Sequence, residues 1–263
     1  MSYGILKVPL PGTSCMSRDR ITRLDHAERW FHDGLRVVDP PGGLVSLEVD
    51  MSAATALRRR LAELGTPVTF THLLVHAAAS ALTTNPELHR LVAGTKRLNP
   101  EQVDVCLSIA GDAAVTPVLM IRNAGAKSIA EISEEVQTGA DIARLEDARR
   151  LEILRKWGWI IPLGVMRRAL IRFLLGQLWY RRRASGTFQV TAVPNVDYCI
   201  PFLFNAVGAL GAGRVQDRVI AVAGQPEVRP TQVLTLCFDH KVWNGMEAAR
   251  FLNCVKLQLE TLS

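Results

Sequence analysis

The sequence lacks the marks of several protein classes. Its five cysteines form no C-x-x-C pair, which argues against a zinc site or a disulfide framework. No uninterrupted apolar run approaches the ~20 residues that a membrane-spanning helix needs. The opening MSYGILKVPLPGTS contains no charged segment followed by a long apolar run, so no secretory signal is predicted. We therefore expect a cytoplasmic protein with no metal site.

The charge of the chain is concentrated in one segment. The chain has 263 residues, of which 48% are hydrophobic and 21% charged, and its formal net charge is +6. This composition can bury a sizeable core, and we expect a single domain over residues 1–263. Arg149–Arg183 contains ten basic residues and one acid, a net +9, which leaves −3 for the remainder. Because one segment supplies the excess, no nucleic-acid partner is predicted.

Apolar periodicity predicts a mixture of helices and strands, and hence an α/β protein. The alternation in Gly43–Asp50 is typical of a half-buried strand, whereas Phe70–Thr84 is apolar almost all round and indicates a buried helix. Ser128 and Glu131 have the spacing of a capping box at a helix start. Further helices are predicted at Met51–Leu64 and about Asn244–Glu260, and further strands at Val103–Ala110, at Val115–Ile121 and within TFQVTAV, DRVIAVAG and VLTLCF.

Two histidines in the predicted buried helix have a spacing that metal ligands also use. His72 and His76 are four residues apart. No carboxylate or further histidine lies nearby in sequence, so a buried helix face is the favoured interpretation of this pair.

The segment Thr231–Arg250 carries the clearest chemical motif, TQVLTLCFDHKVWNGMEAAR. A β-branched strand leads into Asp239 and His240, and Asn244 and Gly245 then open an amphipathic helix. A histidine at a strand end is held by the sheet but can reach into a cleft, and imidazole exchanges protons near neutral pH. His240 is therefore a candidate general base.

This segment resembles the D-H-R-x-x-D-G signature of the 2-oxoacid dehydrogenase acyltransferases (E2 components), which are relatives of chloramphenicol acetyltransferase. The resemblance covers about Arg18 to Glu260, with Arg149–Ser185 as an exception. Four further segments resemble the same family in the same order: NPEL at Asn85–Leu88, VTPVLMIRNAGAKSIAEI at Val115–Ile132, GTFQVT at Gly186–Thr191 and GAGRVQDRVIAVAG at Gly211–Gly224.

The resemblance implies a chloramphenicol acetyltransferase-like two-layer sandwich in which helices cover a mixed sheet. His240 falls on the family's catalytic histidine, which deprotonates the acceptor that attacks a thioester. Thr191 falls on the hydroxyl residue that donates a hydrogen bond to the tetrahedral oxyanion. The family's active sites lie between the subunits of a trimer, so we expect a homotrimer. The plainer alternative is an inactive paralogue with a relic histidine and an ordinary strand threonine.

Two positions of the signature differ from the family pattern. Asn244 replaces an aspartate that, in the family, pairs with an arginine from the N-terminal region, for which Arg18 or Arg20 is the candidate here. Asparagine keeps the helix-capping ability, with Glu247 at capping-box spacing, but it lacks the charge. Lys241 replaces an arginine and lacks its planar fork. The expected supporting residues of the site are Asn244, Asp239, Lys241, Gly245 and Arg18.

Two parts of a conventional E2 are not recognisable in the sequence. It contains no lipoyl domain or subunit-binding segment, and no apolar tail of the kind through which E2 trimers build cubic cores. We therefore expect an isolated trimer rather than a component of a multienzyme complex. The resemblance implies acetyl-CoA or an acyl-carrier-protein thioester as co-substrate, and no permanently bound cofactor.

Arg149–Ser185 replaces a short linker of the family and is expected to be a basic, apolar helical insert. Its apolar parts, WGWIIPLGVM and ALIRFLLGQLWY, are divided by arginines, and neither is long enough to span a membrane. Trp157, Trp159, Trp179 and Tyr180 favour an interfacial helix or a lid over an apolar substrate. A solvated helix on the trimer surface is the simpler alternative. On a helical wheel the apolar residues do not separate cleanly from the arginines.

The predicted function is transfer of an acyl group, most simply acetyl, to a hydroxyl of a small apolar acceptor. Free-standing E2-like O-acetyltransferases of natural-product pathways, such as those of tetronates, are the resembling group. Trp179 and Trp243 are candidate substrate contacts. Two alternatives stay open. One is a non-catalytic E2-like protein that binds acyl-CoA, a partner complex or a membrane through residues 149–183, and the other is an E2 that acts on lipoamide supplied in trans.

Overall fold

A mixed seven-stranded sheet with helices packed against one face forms the centre of the molecule. The computed structural model describes residues 25–37, 42–93, 96–110 and 116–262. The mixed α/β fold predicted from the sequence is confirmed.

The described residues form seven α-helices and nine strands, together with three single 3-10 turns at Pro86–Leu88, Ala124–Ala126 and Gly158–Ile160. The helices are α1 (His26–Leu35), α2 (Ser52–Glu63), α3 (Phe70–Thr84), α4 (Ile129–Trp157), α5 (Gly164–Leu175), α6 (Leu178–Ser185) and α7 (Gly245–Glu260). The strands are β1 (Gly43–Asp50), β2 (Leu91–Ala93), β3 (Lys96–Leu98), β4 (Val105–Ser108), β5 (Val118–Ile121), β6 (Phe188–Ala192), β7 (Gly208–Ala212), β8 (Gln216–Val222) and β9 (Gln225–Phe238).

The strand order of the large sheet is β1-β9-β7-β6-β4-β5, and β8 pairs with the first half of β9. Strand β6 runs parallel to both β4 and β7, whereas the remaining pairs are antiparallel. Strands β2 and β3 form a separate two-stranded sheet. This order places the end of β9 two strands away from β6, which decides the geometry of the site.

Helices α3 and α7 supply most of the helical side of the core. Helix α3 is apolar almost all round, as its sequence predicts, and Leu73, Leu74 and Leu82 are fully buried. Helix α7 buries Phe251 and Val255 against it. The predicted capping box at the start of α4 is present, since Glu131 accepts from the Ser128 backbone N–H at 2.7 Å and its own N–H donates to the Ser128 hydroxyl.

The strand that follows the insert is fixed by Gly186 and Asp104. Gly186 has a φ of +64°, and a Cβ added there would lie 2.6 Å from the Asp104 carbonyl oxygen, so only glycine fits. Thr187 brackets Asp104, accepting from its N–H at 3.0 Å and donating to its carbonyl at 3.1 Å. The buried Asp104 carboxylate in turn accepts from Arg122 and Arg182. These contacts hold β6 beside β4.

The insert predicted at Arg149–Ser185 begins inside a helix and not at a helix boundary. Helix α4 begins beside the sheet and continues for 29 residues to Trp157, so its last two turns belong to the insert. A 3-10 turn, α5 and α6 follow, and α1 packs against α4 and α5. Within the part of the chain that the structure describes, none of these helices is long and apolar enough to cross a bilayer.

Candidate active site

His240 lies in a tight turn between β9 and α7. Strand β9 ends at Phe238, and the N–H groups of Val242 and Trp243 both donate to the Asp239 carbonyl, at 2.8 and 3.0 Å. The Asp239 carboxylate accepts from the Lys241 backbone N–H at 2.9 Å and so fixes the turn from within. The imidazole is exposed and leans against the Phe238 ring at a centroid distance of 5.4 Å. The turn thus projects the predicted base from the end of the sheet.

Gly42 presses its backbone against the same turn. Its N–H donates to the Phe238 carbonyl at 3.1 Å, and a Cβ added at this position would lie 2.2 Å from the His240 Cβ. A side chain at Gly42 would therefore displace the histidine. Sequence reasoning missed this residue, and the signal for it, two glycines opening the first strand, is weak by itself.

Asn244 caps α7 through a complete capping box, as its spacing to Glu247 predicts. The Asn244 side chain accepts from the Glu247 N–H at 2.9 Å, and Glu247 accepts from the Asn244 N–H at 2.9 Å. Burial alone would raise the pKa of Glu247, but the Asn244 N–H and Arg90 hold that pKa below its usual value. The capping role of Asn244 needs no charge.

Arg90 is a second supporting residue that sequence reasoning missed. Its Nε donates to the Val242 carbonyl at 3.0 Å, inside the histidine turn, and its Nη2 lies 2.7 Å from Glu247 Oε1. It lies two residues after Leu88 of the NPEL segment, whose carbonyl accepts from Trp243 Nε1 at 2.8 Å. The NPEL segment therefore supports the histidine turn. This role cannot be predicted from the sequence of the segment alone.

Three expected supporting residues have different outcomes. Arg18, the candidate partner of position 244, lies outside the described residues, as does Arg20. Lys241 is exposed in the turn. Gly245 begins α7 with open space where a Cβ would stand, so nothing in the described residues requires glycine there.

The two tryptophans predicted as substrate contacts occupy opposite environments. Trp243 is fully buried, stacks at a centroid distance of 5.1 Å on Phe251, and has its N–H bonded inside the fold. The structure therefore assigns Trp243 to the core instead of a substrate surface, because its apolar ring fills the space beneath the histidine turn. Trp179 is exposed on the insert and packs edge-on against Tyr180.

Thr191 lies on the face of the sheet that the helices leave uncovered. Its neighbours Val190 and Phe188 belong to the main core, and alternation along the strand turns the Thr191 side chain the other way. Its hydroxyl lies 2.8 Å from the hydroxyl of Ser108 on the adjacent parallel strand. Ser108 can orient the Thr191 hydroxyl, and only knowledge of the β4–β6 pairing would have indicated this.

Thr191 and His240 of one chain do not meet. In the register of the sheet Thr191 lies level with Gly211, and Gly211 lies level with Thr235. From that level, β9 continues for three more residues to Phe238, and β9 lies two strand spacings away from β6. Together these two offsets separate Thr191 from the end of β9 by roughly 14 Å, and the turn with His240 begins only there. A base and an oxyanion donor must both reach one reacting carbon, so these two residues cannot act on the same substrate within one chain.

One histidine of the pair in α3 caps its own helix. His72 is buried and its Nδ1 accepts from the Thr69 backbone N–H at 3.3 Å, which closes the N-terminal cap. Burial lowers the pKa of both His72 and His76. Among the described residues no group of three or more histidine, cysteine or acidic side chains is arranged to hold a metal ion.

A known family matches most of the chain. The model described as "2-oxoacid dehydrogenases acyltransferase (catalytic domain)" matches residues 40–154 and 182–263, about three quarters of the chain. The unmatched residues between these ranges include the 3-10 turn of the insert and the whole of α5. The matched ranges include His240, Thr191, Ser108 and Arg90.

Relatives and solved structures resemble the chain over most of its length. The dihydrolipoyllysine-residue succinyltransferase component of the 2-oxoglutarate dehydrogenase complex of Bartonella vinsonii subsp. berkhoffii is 28% identical over 81% of this chain and 46% of the relative. The chain thus spans about half the length of the curated relatives it matches. The dihydrolipoamide acetyltransferase of Azotobacter vinelandii has a similar fold, with a TM-score of 0.69, 18% identity and 98% coverage of both chains. Chloramphenicol acetyltransferase aligns with a TM-score of 0.50, 16% identity, and 90% and 96% coverage, which agrees with the expected fold.

Proposed function

Since this chain belongs to the 2-oxoacid dehydrogenase acyltransferase family and carries its catalytic domain, we propose that it moves an acyl group from a coenzyme A or carrier-protein thioester to a thiol or hydroxyl acceptor. The observation that carries the proposal is His240, exposed at the end of β9 in a turn that Gly42, Arg90 and Asn244 hold in place.

His240 acts as the general base of this reaction. Its neutral imidazole takes the proton from the acceptor S–H or O–H while the acceptor attacks the thioester carbonyl carbon. The carbonyl oxygen becomes an oxyanion and accepts a hydrogen bond from the Thr191 hydroxyl, which Ser108 orients. When the tetrahedral species collapses, the C–S bond breaks and the coenzyme A thiolate takes the proton back from His240.

The base and the oxyanion donor come from different copies of the chain. This part of the proposal is supported by the roughly 14 Å that separates Thr191 from the end of β9 within one chain. A cyclic trimer that sets His240 of one copy against Thr191 of the next would give three equivalent sites. The family's trimeric organisation points to the same number of copies.

Asparagine at position 244 is compatible with an active enzyme. Crystallographic and enzymatic work on the Azotobacter vinelandii dihydrolipoamide acetyltransferase addresses the catalytic role of a serine, a histidine and an asparagine four residues after that histidine. His240 and Asn244 have this spacing.

The relatives favour a dithiol acceptor, and the alternative is a hydroxyl. The similar enzymes act on dihydrolipoyllysine residues, so a lipoyl group carried by another protein is the first acceptor to test. Transfer of acetyl to a hydroxyl of a small apolar natural product, of the tetronate class for example, stays a prediction. The acyl group and the identity of the carrier are to be found with the same assay.

The assay follows free coenzyme A with a thiol reagent, or with mass spectrometry where the acceptor is itself a thiol. Acetyl-CoA and succinyl-CoA are each combined with dihydrolipoamide and with a panel of alcohols. His240→Ala is expected to lower kcat by about 10²–10⁴-fold, because a general base contributes that much. His32→Ala, at an exposed histidine of α1, is the matched control. Full activity of His240→Ala would overturn the assignment.

A mixture of two inactive variants tests the shared site. His240→Ala and Thr191→Val are each expected to be inactive alone, the second by about 10²–10³-fold. Mixed trimers assembled from equal amounts are expected to recover about a quarter of the activity, because that fraction of interfaces joins an intact His240 to an intact Thr191. If the mixture stays inactive although light scattering shows mixed assemblies, the sites are not shared between copies.

A further inference from the structure

Helix α5 turns two of its three arginines toward the fold and leaves a sector of apolar side chains exposed. Arg167 is buried, and its Nε donates to Asp33 of α1 at 2.7 Å. The same guanidinium donates to the carbonyls of Ile161 and Pro162 at 2.9 and 2.8 Å. Arg168 reaches the other oxygen of Asp33 at 2.7 Å. The inner face of this helix therefore combines these bonded arginines with the buried Leu175.

The outer face of α5 is apolar. At 100° per residue its exposed apolar side chains fall within a sector of about 140° on the side opposite the buried arginines. No other described residue covers this sector. Its members are Val165, Met166, Ala169, Leu170 and Phe173. Because Asp33 pairs with Arg167 and Arg168 on the inner side, the exposed sector contains no arginine.

The exposed apolar surface extends beyond α5. Of the 24 large apolar side chains that are exposed in the described residues, ten lie between Ile153 and Trp179. Trp157 and Trp159 come before α5, and Trp179 comes after it. A concentration of this kind marks an interaction site on a protein surface.

The same segment presents only positive charge. Residues 153–183 contain eight basic side chains and no acid. Arg155, Arg167, Arg168 and Arg182 are paired with aspartates of the fold. Among the described residues Lys156, Arg172 and Arg183 are exposed and carry no ion pair. Arg172 lies at the edge of the apolar sector of α5.

We propose that residues 153–183 form a docking surface for a bilayer that contains anionic lipid, with α5 lying in the plane of the interface. The apolar sector enters the acyl region, and Arg172, Lys156 and Arg183 meet the phosphates. Tryptophan on both sides of the helix favours the headgroup depth. A second copy placed symmetrically on this face would bring like charges together, which makes it the weaker occupant. This surface lies largely outside the family match and is independent of the proposed chemistry.

Flotation of the full-length protein with lipid vesicles tests the proposal. Vesicles of phosphatidylcholine are compared with vesicles that also contain about 30 mol % phosphatidylglycerol, at about 0.1 M salt. We expect at least about tenfold stronger binding to the anionic vesicles, a blue shift of the tryptophan emission, and weaker binding at about 0.5 M salt.

Single substitutions separate the apolar from the charged contribution. Val165→Ser is expected to weaken binding to both vesicle types severalfold, and Phe173→Ser by about tenfold or more. Val219→Ser on β8 is the matched control, because Val219 and Val165 are both 69% exposed. Arg172→Glu is expected to weaken binding to anionic vesicles by at least about fivefold and to leave neutral vesicles unaffected.

The outcomes are distinct. Binding that falls with Val165→Ser but not with Val219→Ser, at unchanged thermal stability, supports the bilayer. Absence of binding to anionic vesicles overturns it. A change of oligomeric state with Phe173→Ser, seen by light scattering without any vesicle binding, would instead assign this face to a second copy of the chain.

Discussion

The sheet with α3 and α7, called the body below, and residues 153–183 of the insert place their large apolar side chains differently. In the body, Leu73, Leu74 and Phe251 face inward and form part of the core. In the insert, Arg167 is buried while Phe173 and Val165 are exposed. The body is a water-facing protein with an apolar core, whereas the insert has its apolar side outward. The difference is what the proposed docking of residues 153–183 on a bilayer requires.

The insert can bury arginine while it exposes apolar side chains, because one carboxylate of α1 compensates the buried positive charge. Burial alone would raise the pKa of Asp33, but the hydrogen bonds from Arg167 and Arg168 hold that pKa below its usual value. In the body, by contrast, the buried His89 is kept neutral, since burial lowers its pKa to about 4. Asp33 is thus a buried carboxylate paired with arginines, as Asp104 is in the body, whereas His89 is a buried group that stays uncharged. Three substitutions sharpen or break this comparison.

The largest expected effect comes from removing the compensating charge. Asp33→Ala leaves Arg167 buried without a carboxylate and is expected to lower the free energy of unfolding by about 3 kcal/mol. Urea unfolding measures this loss, and trypsin should then cleave after Arg167 or Arg168. Arg150→Ala, at an exposed ion pair of α4, is the control and should cost less than about 0.5 kcal/mol. Equal losses of stability in the two variants would show that the buried ion pair contributes no more than the exposed one.

The pH dependence of stability should separate the buried base from the buried ion pair. His89 binds a proton in the unfolded chain below about pH 6.5 but in the fold only near pH 4, so stability falls as the pH drops through this window. The expected loss between pH 7.5 and pH 5 is about 2 kcal/mol. The Asp33 pair loses its contribution only at lower pH, below the ordinary pKa of an aspartate.

His89→Asn removes the titrating group and should flatten the stability profile between pH 7.5 and pH 5. His32→Asn, at an exposed histidine, serves as the control. Urea midpoints at the two pH values measure the effect. An unchanged slope in His89→Asn would show that other groups cause the acid sensitivity.

The smallest effect is expected at the helix cap of the body. Asn244→Ala should lower stability by about 1 kcal/mol, whereas Asn244→Asp should change it by less than about 0.5 kcal/mol, because the two residues cap equally well. Activity of Asn244→Asp should stay within about tenfold of the parent. A large gain of activity from almost none would instead identify a decayed site and favour the non-catalytic alternative.

Periodicity and motifs predicted much of the body from sequence. The bounds of α3 and β1 agree with the predicted ranges, and the capping boxes at Ser128 and Asn244 are both present. These features depend on neighbours in sequence, which is why they could be read directly. The predicted strand at Val103–Ala110 is shorter in the structure, Val105–Ser108, because pairing with β5 and β6 sets its length.

The features that sequence could not reveal depend on distant contacts. Arg90 reaches Val242 across 152 positions, and Ser108 reaches Thr191 across 83. The orientation of α5 depends on Asp33, 134 positions before Arg167. Periodicity alone gives an ambiguous helical wheel for α5, because the sequence of α5 contains no information about a carboxylate on another helix. Trp243 was predicted as a candidate substrate contact, but its ring is fully buried and packs on Phe251, a residue that lies eight positions later on another element.

Helix α4 joins these two regions without a break, and this has a mechanical consequence. Its 29 residues give a rod of about 43 Å that starts at the sheet and ends in the insert. The helical twist therefore sets how far the insert is rotated about the helix axis relative to the sheet. Adding one residue in the exposed middle of α4 would turn the far end by about 100°, and adding seven would nearly restore the rotation at a greater distance. The number of residues in this helix thus sets both the distance and the rotation of the insert relative to the sheet. A series of insertion variants could change both stepwise.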